Sequence, residues 1–236
     1  MRVRRSDPLS TGREVDRLMA FSDGVVAVAI TLMVLPLINI QGPPPGEPLY
    51  TVVTKNLGQI VIFLFTFYVV AVMWRLHSRI FGQIRGYDNP LFWLNTTWLA
   101  AIVLLPWFSS LYGDTFAISG SFTDFSTTAT ADIALFYWLL MASVSALGTL
   151  MGRHLSRNPR LLLPGSEADI LTGAARYRGW IIAGYFLFIG VMSLFSPIIA
   201  SYLPIGIFVL SVFLKPKQIR AEVQSSAVTD SNGETS

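Results

Sequence analysis

The sequence contains no cysteine and little charge, and each of these scarcities narrows the class of protein. Without cysteine the chain forms no disulfide and offers no thiolate to a metal ion, and with only two histidines a structural zinc site is not expected. Charged residues make up 13% of the 236 residues and hydrophobic residues 53%, with a mean hydropathy of +0.56. Soluble domains are about one-quarter charged. The composition therefore indicates a membrane protein.

The sequence also lacks the short motifs of the commoner enzyme chemistries. It has no G-x-S-x-G, H-E-x-x-H or Walker sequence, so neither an enzyme nor a bound cofactor is expected. The isoelectric point near 9.3 would suit nucleic-acid binding. In so apolar a chain, however, an excess of Lys and Arg is better explained by membrane insertion, and no nucleic-acid partner is predicted.

Apolar residues gather into blocks of about 20, the length at which a helix crosses the hydrocarbon core of a bilayer. Backbone groups in lipid must be paired within their own segment, so the blocks are predicted to be helices. The predicted fold class is an all-α integral membrane protein with six transmembrane helices. The spans are predicted at residues 18–38, 56–75, 91–112, 132–152, 179–196 and 198–214.

The segments between these spans are predicted from their turn-forming residues. The first loop, Asn39 to Tyr50, is rich in proline, and the third, Gly113 to Ala131, is rich in Ser, Thr, Gly and Asp and is predicted to be irregular. Pro204 interrupts the sixth span, so the last pair is alternatively a helix and a re-entrant segment. The predicted domains are an N-terminal cytoplasmic segment (1–16), a six-helix domain (17–214) and a disordered cytoplasmic tail (215–236).

Basic residues predict the orientation of the chain in the membrane. Every Lys and Arg except Lys55 falls before the first span, after the sixth, or in the loops that follow the second and fourth spans. These are Arg2, Arg4, Arg5, Arg13 and Arg17; Arg75, Arg79 and Arg85; Arg153, Arg157, Arg160, Arg176 and Arg178; and Lys215, Lys217 and Arg220. Because basic segments remain on the cytoplasmic side, both termini are predicted to be cytoplasmic.

The first span carries an unusual polar group. Asp23 lies near its cytoplasmic end, and a carboxylate inside a membrane is costly unless it serves a function or has a specific partner. Arg17 lies six residues earlier, about 240° around a helix, and is not a one-turn neighbour. The partner of Asp23 is therefore expected on another helix. The candidates at a suitable depth are His77, Arg75, Ser78 and Asn95.

The string R-x-x-x-F-S-D that contains this carboxylate resembles the signature of the transmembrane protein 175 potassium channels. It is formed here by Arg17, Phe21, Ser22 and Asp23. Two further groups of residues in the second and third spans resemble the same family. They are Trp74, His77 and Phe81, and Leu94-Asn95 with Leu105-Pro106. The resemblance covers the first three spans, whereas the last three match only in number and hydropathy.

The resemblance implies a potassium-permeable cation channel in a prokaryotic plasma membrane, with K⁺ as the permeant ion and no resident cofactor. Family members with a single six-helix repeat assemble as homotetramers. In these channels the first helix of each subunit lines a central pore, and large apolar side chains form the narrowest rings. The K⁺-channel filter sequence T-V-G-Y-G is absent from the family and from this chain. The expected partners are copies of the same chain, the lipid bilayer and monovalent cations.

The register of the signature implies which residues line that pore. The first constriction falls at Val28, five residues after Asp23, and the next inward positions are Leu32 and Leu35. Helix geometry agrees, because the i, i+4, i+7 spacing places the three on one face. Thr31 lies on the flank of this face, where the family often has a hydroxyl that influences K⁺ preference. The signature residues Arg17, Phe21, Ser22 and Asp23, together with Trp74, His77 and Asn95, are expected to form a helix-packing network.

Other interpretations of these features remain. A secondary ion-coupled transporter is the alternative function, although it would be expected to carry several ionisable groups at the membrane midplane. A non-conducting scaffold, or a membrane enzyme with an unrecognised site, is a further alternative. His77 is expected to be a hydrogen-bonded structural histidine, and His154 to face solvent. Most of the six tryptophans are expected to anchor span ends at the membrane surface.

Overall fold

The computed structural model describes residues 10–119, 128–164, 174–196, 199–200, 203–204 and 206. The chain divides into two compact units, Met1–Leu203 and Pro204–Ser236, and all the elements named below belong to the first. Seven α-helices are present in the described residues between Arg13 and Phe195. They are α1 (Arg13–Leu32), α2 (Leu35–Ile38), α3 (Leu49–Lys55), α4 (Leu57–Phe81), α5 (Asn89–Ser119), α6 (Thr128–Arg157) and α7 (Ala174–Phe195).

Five helical segments are long and apolar enough to cross a membrane, and they correspond to the first five predicted spans. They are Arg13–Ile38, Leu57–Phe81, Asn89–Thr115, Ala131–Arg157 and Tyr177–Phe195. The predicted sixth span, 198–214, and the predicted tail, 215–236, lie almost wholly or wholly outside the described residues. The all-helical membrane fold is therefore confirmed over the described part of the chain, with α1 beginning at Arg13.

The third loop is shorter than predicted. Irregular structure was expected from Gly113 to Ala131, but α5 continues to Ser119 and α6 begins at Thr128. The reason is a tertiary contact, because α5 runs close beside the start of α4. A Cβ atom at Gly113 would lie 3.3 Å from the Cα of Gln59, and the Gln59 side chain donates a hydrogen bond to Asp114. Composition alone does not show that a neighbouring helix supports this extension.

Short backbone pairings tie three segments together at one end of the helices. The strand β1 (Ser10–Thr11), which precedes α1, pairs antiparallel with β2 (Gly86–Tyr87), which precedes α5. The Arg85 N–H donates to the carbonyl of Leu161, beyond α6, at 2.8 Å. The Arg85 Nε donates to the carbonyl of Arg160 at 2.7 Å. Segments that the sequence predicts on a common side of the membrane are thus hydrogen-bonded to one another.

The interior of the helix bundle is aromatic, which corrects the expectation for two tryptophans. Trp98 on α5 and Trp138 on α6 were expected among the surface anchors, but both are fully buried. Trp138 packs against Phe186 of α7 with ring centroids 5.8 Å apart and against Tyr137 at 4.9 Å. Large aromatic side chains also bury much area between helices, so a tryptophan near the end of a span need not lie at the membrane surface.

Candidate functional site

Helix α1 has one packed face and one open face. The packed face turns toward α4 and α5 and consists of positions spaced three or four apart: Val15, Leu18, Ser22, Val26, Ala29 and, just beyond the helix, Met33. The opposite face is apolar and exposed within the described part of the chain. An apolar face without a neighbour in its own subunit contacts either lipid or another copy of the chain.

The residues predicted to line a pore all lie on this open face. Val28 is 58% exposed, Leu32 41% and Leu35 51%. Thr31 is exposed beside them, and its hydroxyl donates to the backbone carbonyl of Val28 at 2.8 Å. This bond uses the hydroxyl hydrogen and leaves the oxygen available as an acceptor. The four residues are thus exposed together along the first span, three of them on α1 and Leu35 at the start of α2.

The first span is not a continuous α-helix, which sequence reasoning missed. Regular structure stops at Leu32 and resumes at Leu35, across a tight turn in which Met33 and Val34 donate to the carbonyls three residues earlier, each at 3.3 Å. Pro36 follows and has no N–H with which to continue the α-helical pattern. Pro36 was therefore the signal in the sequence for this interruption of the helix.

This turn changes how side chains line up along the open face. With three residues per turn, residues three apart eclipse one another. Leu32 and Leu35 therefore lie in line across the turn, and Ile38, at the end of α2, is 66% exposed. Ile38 is therefore a further candidate pore-lining residue, which the i, i+4, i+7 spacing of Val28, Leu32 and Leu35 did not include.

A buried chain of hydrogen bonds fixes the packed face of α1. The Asn95 amide on α5 donates to the Ser22 hydroxyl at 2.9 Å, and Ser22 donates to the Leu18 carbonyl at 2.8 Å. The same Asn95 accepts a bond from His77 Nε2 on α4 through its side-chain oxygen at 2.7 Å. Ser22 and Asn95 are fully buried and His77 nearly so. One amide thereby connects three membrane helices at a single level.

The His77 ring is held on both faces by aromatic rings. It stacks on Phe81 of its own helix with centroids 4.3 Å apart, and on Trp98 of α5 at 4.4 Å. The other ring nitrogen, Nδ1, is buried and has no hydrogen-bond partner among the described residues. With this packing, His77 joins α4 to α5, as expected for a structural histidine.

Asp23 lies at the edge of the packed face and is bound from α4. Trp74 Nε1 donates to its carboxylate at 2.8 Å, and the Ser78 hydroxyl donates more weakly at 3.4 Å. Ser78 was among the predicted partners, and Trp74 was identified only through the family resemblance. Arg17 and Phe21 are exposed on α1, and neither takes part in this network among the described residues. The structure thus separates the signature into buried, bridging and exposed members.

His154 is not solvent-facing, which corrects the expectation. It lies on α6, and its Nε2 donates to the two carboxylate oxygens of Asp88 at 2.9 and 3.0 Å. Asp88 also caps α5, since its carboxylate accepts from the Leu91 N–H at 3.1 Å. The pair lies close to the backbone pairings described above. It joins the start of α5 to the end of α6.

Metal ligands are not grouped in the described residues. No three His, Asp or Glu side chains come together there in a way that could hold an ion. The site consists of an open apolar face on α1 and the polar network that holds its other face.

Comparison with known proteins shows which family these features resemble. The family model described as "Endosomal/lysosomal potassium channel TMEM175" matches residues 17–106, which hold the signature and all the network residues. A potassium channel of Streptomyces collinus is 26% identical over 186 residues, covering 78% of this chain and 85% of that relative. A potassium channel of Chamaesiphon minutus is 34% identical over 106 residues, or 43% and 50% of the two chains.

The animal relatives match over a smaller part. The human endosomal/lysosomal proton channel TMEM175 is 30% identical over 95 residues, and the match spans 40% of this chain and 19% of the human protein. The crystal structure of a lysosomal potassium-selective channel TMEM175 homolog from Chamaesiphon minutus shares the fold, with a TM-score of 0.65 at 23% identity. The likeness covers 86% of this chain and 97% of that one. The signature, the relatives and the fold agree in making the chain similar to the TMEM175 family, and in particular to its bacterial potassium channels.

Proposed function

We propose that this protein is a subunit of a potassium-permeable cation channel, and that the open face of α1 lines its pore. The observation that carries the proposal is the division of α1 into a face fixed by buried hydrogen bonds and an apolar face without a neighbour in the described chain. The bacterial relatives are named potassium channels, which supports K⁺ as the permeant ion.

The proposed assembly is a homotetramer around a shared axis. A single α1 cannot enclose a passage, so a pore lined by this helix needs several copies of the chain. The resemblance of a single-repeat chain to tetrameric members supports four. Each subunit would contribute the same apolar face, as symmetric assembly requires.

The proposed gate is a series of apolar rings formed by Val28, Leu32 and Leu35, with the exposed Ile38 beyond Leu35 as an additional candidate. Valine and leucine offer no hydrogen bonds to water or ions, so a narrow ring closes by dewetting, and a small dilation rehydrates it. Thr31 would place a hydroxyl oxygen beside the rings and influence the preference for K⁺. The hydrogen-bonded network behind α1 would hold these side chains at a fixed depth.

The proposed orientation has both termini in the cytoplasm of a prokaryotic plasma membrane. The basic segments before α1, between α4 and α5, and after α6 are hydrogen-bonded at one end of the helices. That end would be cytoplasmic by the distribution of positive charge. A sixth span after α7 would return the chain to the same side.

The gate is tested by Val28→Asn, Leu32→Asn and Leu35→Asn in purified protein reconstituted in liposomes. A polar ring holds water, so we expect each substitution to raise basal K⁺ flux several-fold, by an amount that depends on how narrow its ring is. Leu187→Asn on the exposed surface of α7 is the matched control and should leave the flux unchanged.

Unchanged flux in all three α1 variants would contradict the assignment of the pore. Planar-bilayer recording of the same preparations distinguishes the channel from the alternative transporter. Unitary currents require a continuous pore, and their reversal potential under a K⁺/Na⁺ gradient measures the preference for K⁺. A purified protein that is monomeric in nanodiscs would contradict the shared pore.

A further inference from the structure

A polar cavity lies at the opposite end of the helices from the basic segments. Its volume is about 450 Å³, within the range of about 300–1,000 Å³ that is usual for small-ligand sites. It is lined by the segment that follows α1, the end of α3, the start of α4 and the last turns of α5. Its polar lining includes Asn39, Lys55, Asn56, Gln59, Ser110 and Asp114.

The cavity has one charge of each sign. Asp114 supplies the negative charge, and its carboxylate accepts a hydrogen bond from Gln59 Nε2. Lys55 supplies the positive charge at the end of α3, and no carboxylate among the described residues lies within ion-pairing distance of it. The Gln59 side-chain oxygen is buried without a partner there. A ligand with an ammonium and an anionic group would complement this arrangement, since a buried acceptor without a donor is costly.

The position of the cavity indicates where such a ligand comes from. Lys55 lies two residues before the candidate span that begins at Leu57, and Asp114 is next to the end of the candidate span at Thr115. We therefore expect both at the level of the membrane surface. Beside the cavity, α3 exposes Leu49, Tyr50 and Val53. Apolar side chains next to a polar cavity at this depth suit a molecule with a polar head and an acyl tail.

We propose that this cavity binds the phosphoethanolamine head of a phosphatidylethanolamine molecule from the adjacent leaflet. The ammonium donates to Asp114 and to the Gln59 oxygen, and the phosphate accepts from Lys55. Ethanolamine is preferred to choline because a primary ammonium has three hydrogens to donate, whereas a trimethylammonium has none. The glycerol and the start of the acyl chains lie along the exposed side chains of α3. The bound lipid would hold the segment after α1 against α4 and α5.

The test is native mass spectrometry of the detergent-purified protein after incubation with equal amounts of phosphatidylethanolamine, phosphatidylcholine or phosphatidylglycerol of the same chain length. We expect phosphatidylethanolamine to be retained about tenfold more strongly than the other two, as the loss of one charge-assisted hydrogen bond would give. Equal retention of the three lipids would overturn the proposal.

Free phosphoethanolamine, added as a competitor, distinguishes a lipid from a soluble ligand. Displacement of the lipid at equal concentration would show that the tail contributes nothing and would overturn the lipid assignment.

Two variants connect the preference to the cavity. Asp114→Asn keeps an oxygen for the Gln59 amide and removes the charge, and Lys55→Gln removes the other charge from an exposed side chain. Each should reduce the preference for phosphatidylethanolamine over phosphatidylcholine about tenfold. Asp16→Asn, in the first turn of α1 at the other end, is the matched control and should keep it. A preference that survives in both cavity variants, with K⁺ flux intact, would overturn the proposal without affecting the proposed pore.

Discussion

At the scale of single residues, Asn95 has the largest structural role in the network behind α1. Its amide uses both ends, accepting from His77 on α4 and donating to Ser22 on α1. The hydrocarbon core contains no water to replace a lost partner, so each group in this chain of bonds depends on the next. Without the Asn95 amide, neither Ser22 nor His77 would be joined to α5 by these hydrogen bonds.

Asn95→Leu should therefore destabilise the protein. The variant leaves the buried His77 imidazole without an acceptor and removes the donor to the Ser22 hydroxyl, and we expect a loss of about 1–2 kcal/mol in the free energy of unfolding. Thr97→Val is the control on the same helix, because Thr97 is exposed and bonds only to the carbonyl of Trp93. Thermal unfolding in detergent, followed by tryptophan fluorescence, measures both. Equal stability of the two variants would contradict the role given to Asn95.

At the scale of elements, α6 and α7 approach closely at glycines. A Cβ atom at Gly179 would overlap the Thr149 hydroxyl, and one at Gly190 would lie 3.1 Å from the Cβ of Trp138. The absence of a side chain permits the close approach, which is usual for packing between membrane helices. These positions, rather than the apolar character of α7 as a whole, determine how the two helices fit together.

Gly179→Ala should weaken the packing of α7 against α6. Overpacking of a tight contact costs about 1–3 kcal/mol, so we expect a lower unfolding temperature. The double variant with Thr149→Ala removes the overlapping hydroxyl and should recover most of the loss. Gly184→Ala is the matched control, because no atom lies within 4 Å of a Cβ placed there. A double variant no more stable than Gly179→Ala would show that the contact with Thr149 is not the cause.

At the scale of the whole molecule, charge and backbone pairing agree on which segments share a side of the membrane. The positive-inside pattern groups the segments before α1, after α4 and after α6, and β1, β2 and the bonds to Arg160 and Leu161 connect the same three. These two observations are independent, because one depends on composition and the other on folding.

The natural absence of cysteine allows the orientation to be measured directly. Glu47→Cys should react with a membrane-impermeant maleimide added to intact cells, whereas Ser156→Cys should react only after the membrane is opened. The unmodified chain is the background control, since it has no thiol to label. The reverse labelling pattern would show that the protein is inserted the other way.

The sequence by itself determined the membrane class, five of the six helical spans that it predicted, and the resemblance to the TMEM175 family. It also placed Val28, Thr31, Leu32 and Leu35 on one surface of the first helix. These are properties of a window of consecutive residues, because crossing a bilayer depends on apolar length and orientation depends on local charge. The family signature was likewise contained in seven consecutive residues, Arg17 to Asp23.

Only the tertiary structure decided which polar groups meet. The bond from Trp74 to Asp23, the pairing of His154 with Asp88 and the burial of Trp98 depend on how helices far apart in sequence pack against one another. The turn after Leu32 was signalled by Pro36, but its effect on the alignment of Leu32 with Leu35 required the backbone geometry. Hydropathy records how strongly each segment prefers lipid and carries no information about neighbouring helices, because a helix of the same composition satisfies the bilayer in any rotation about its axis.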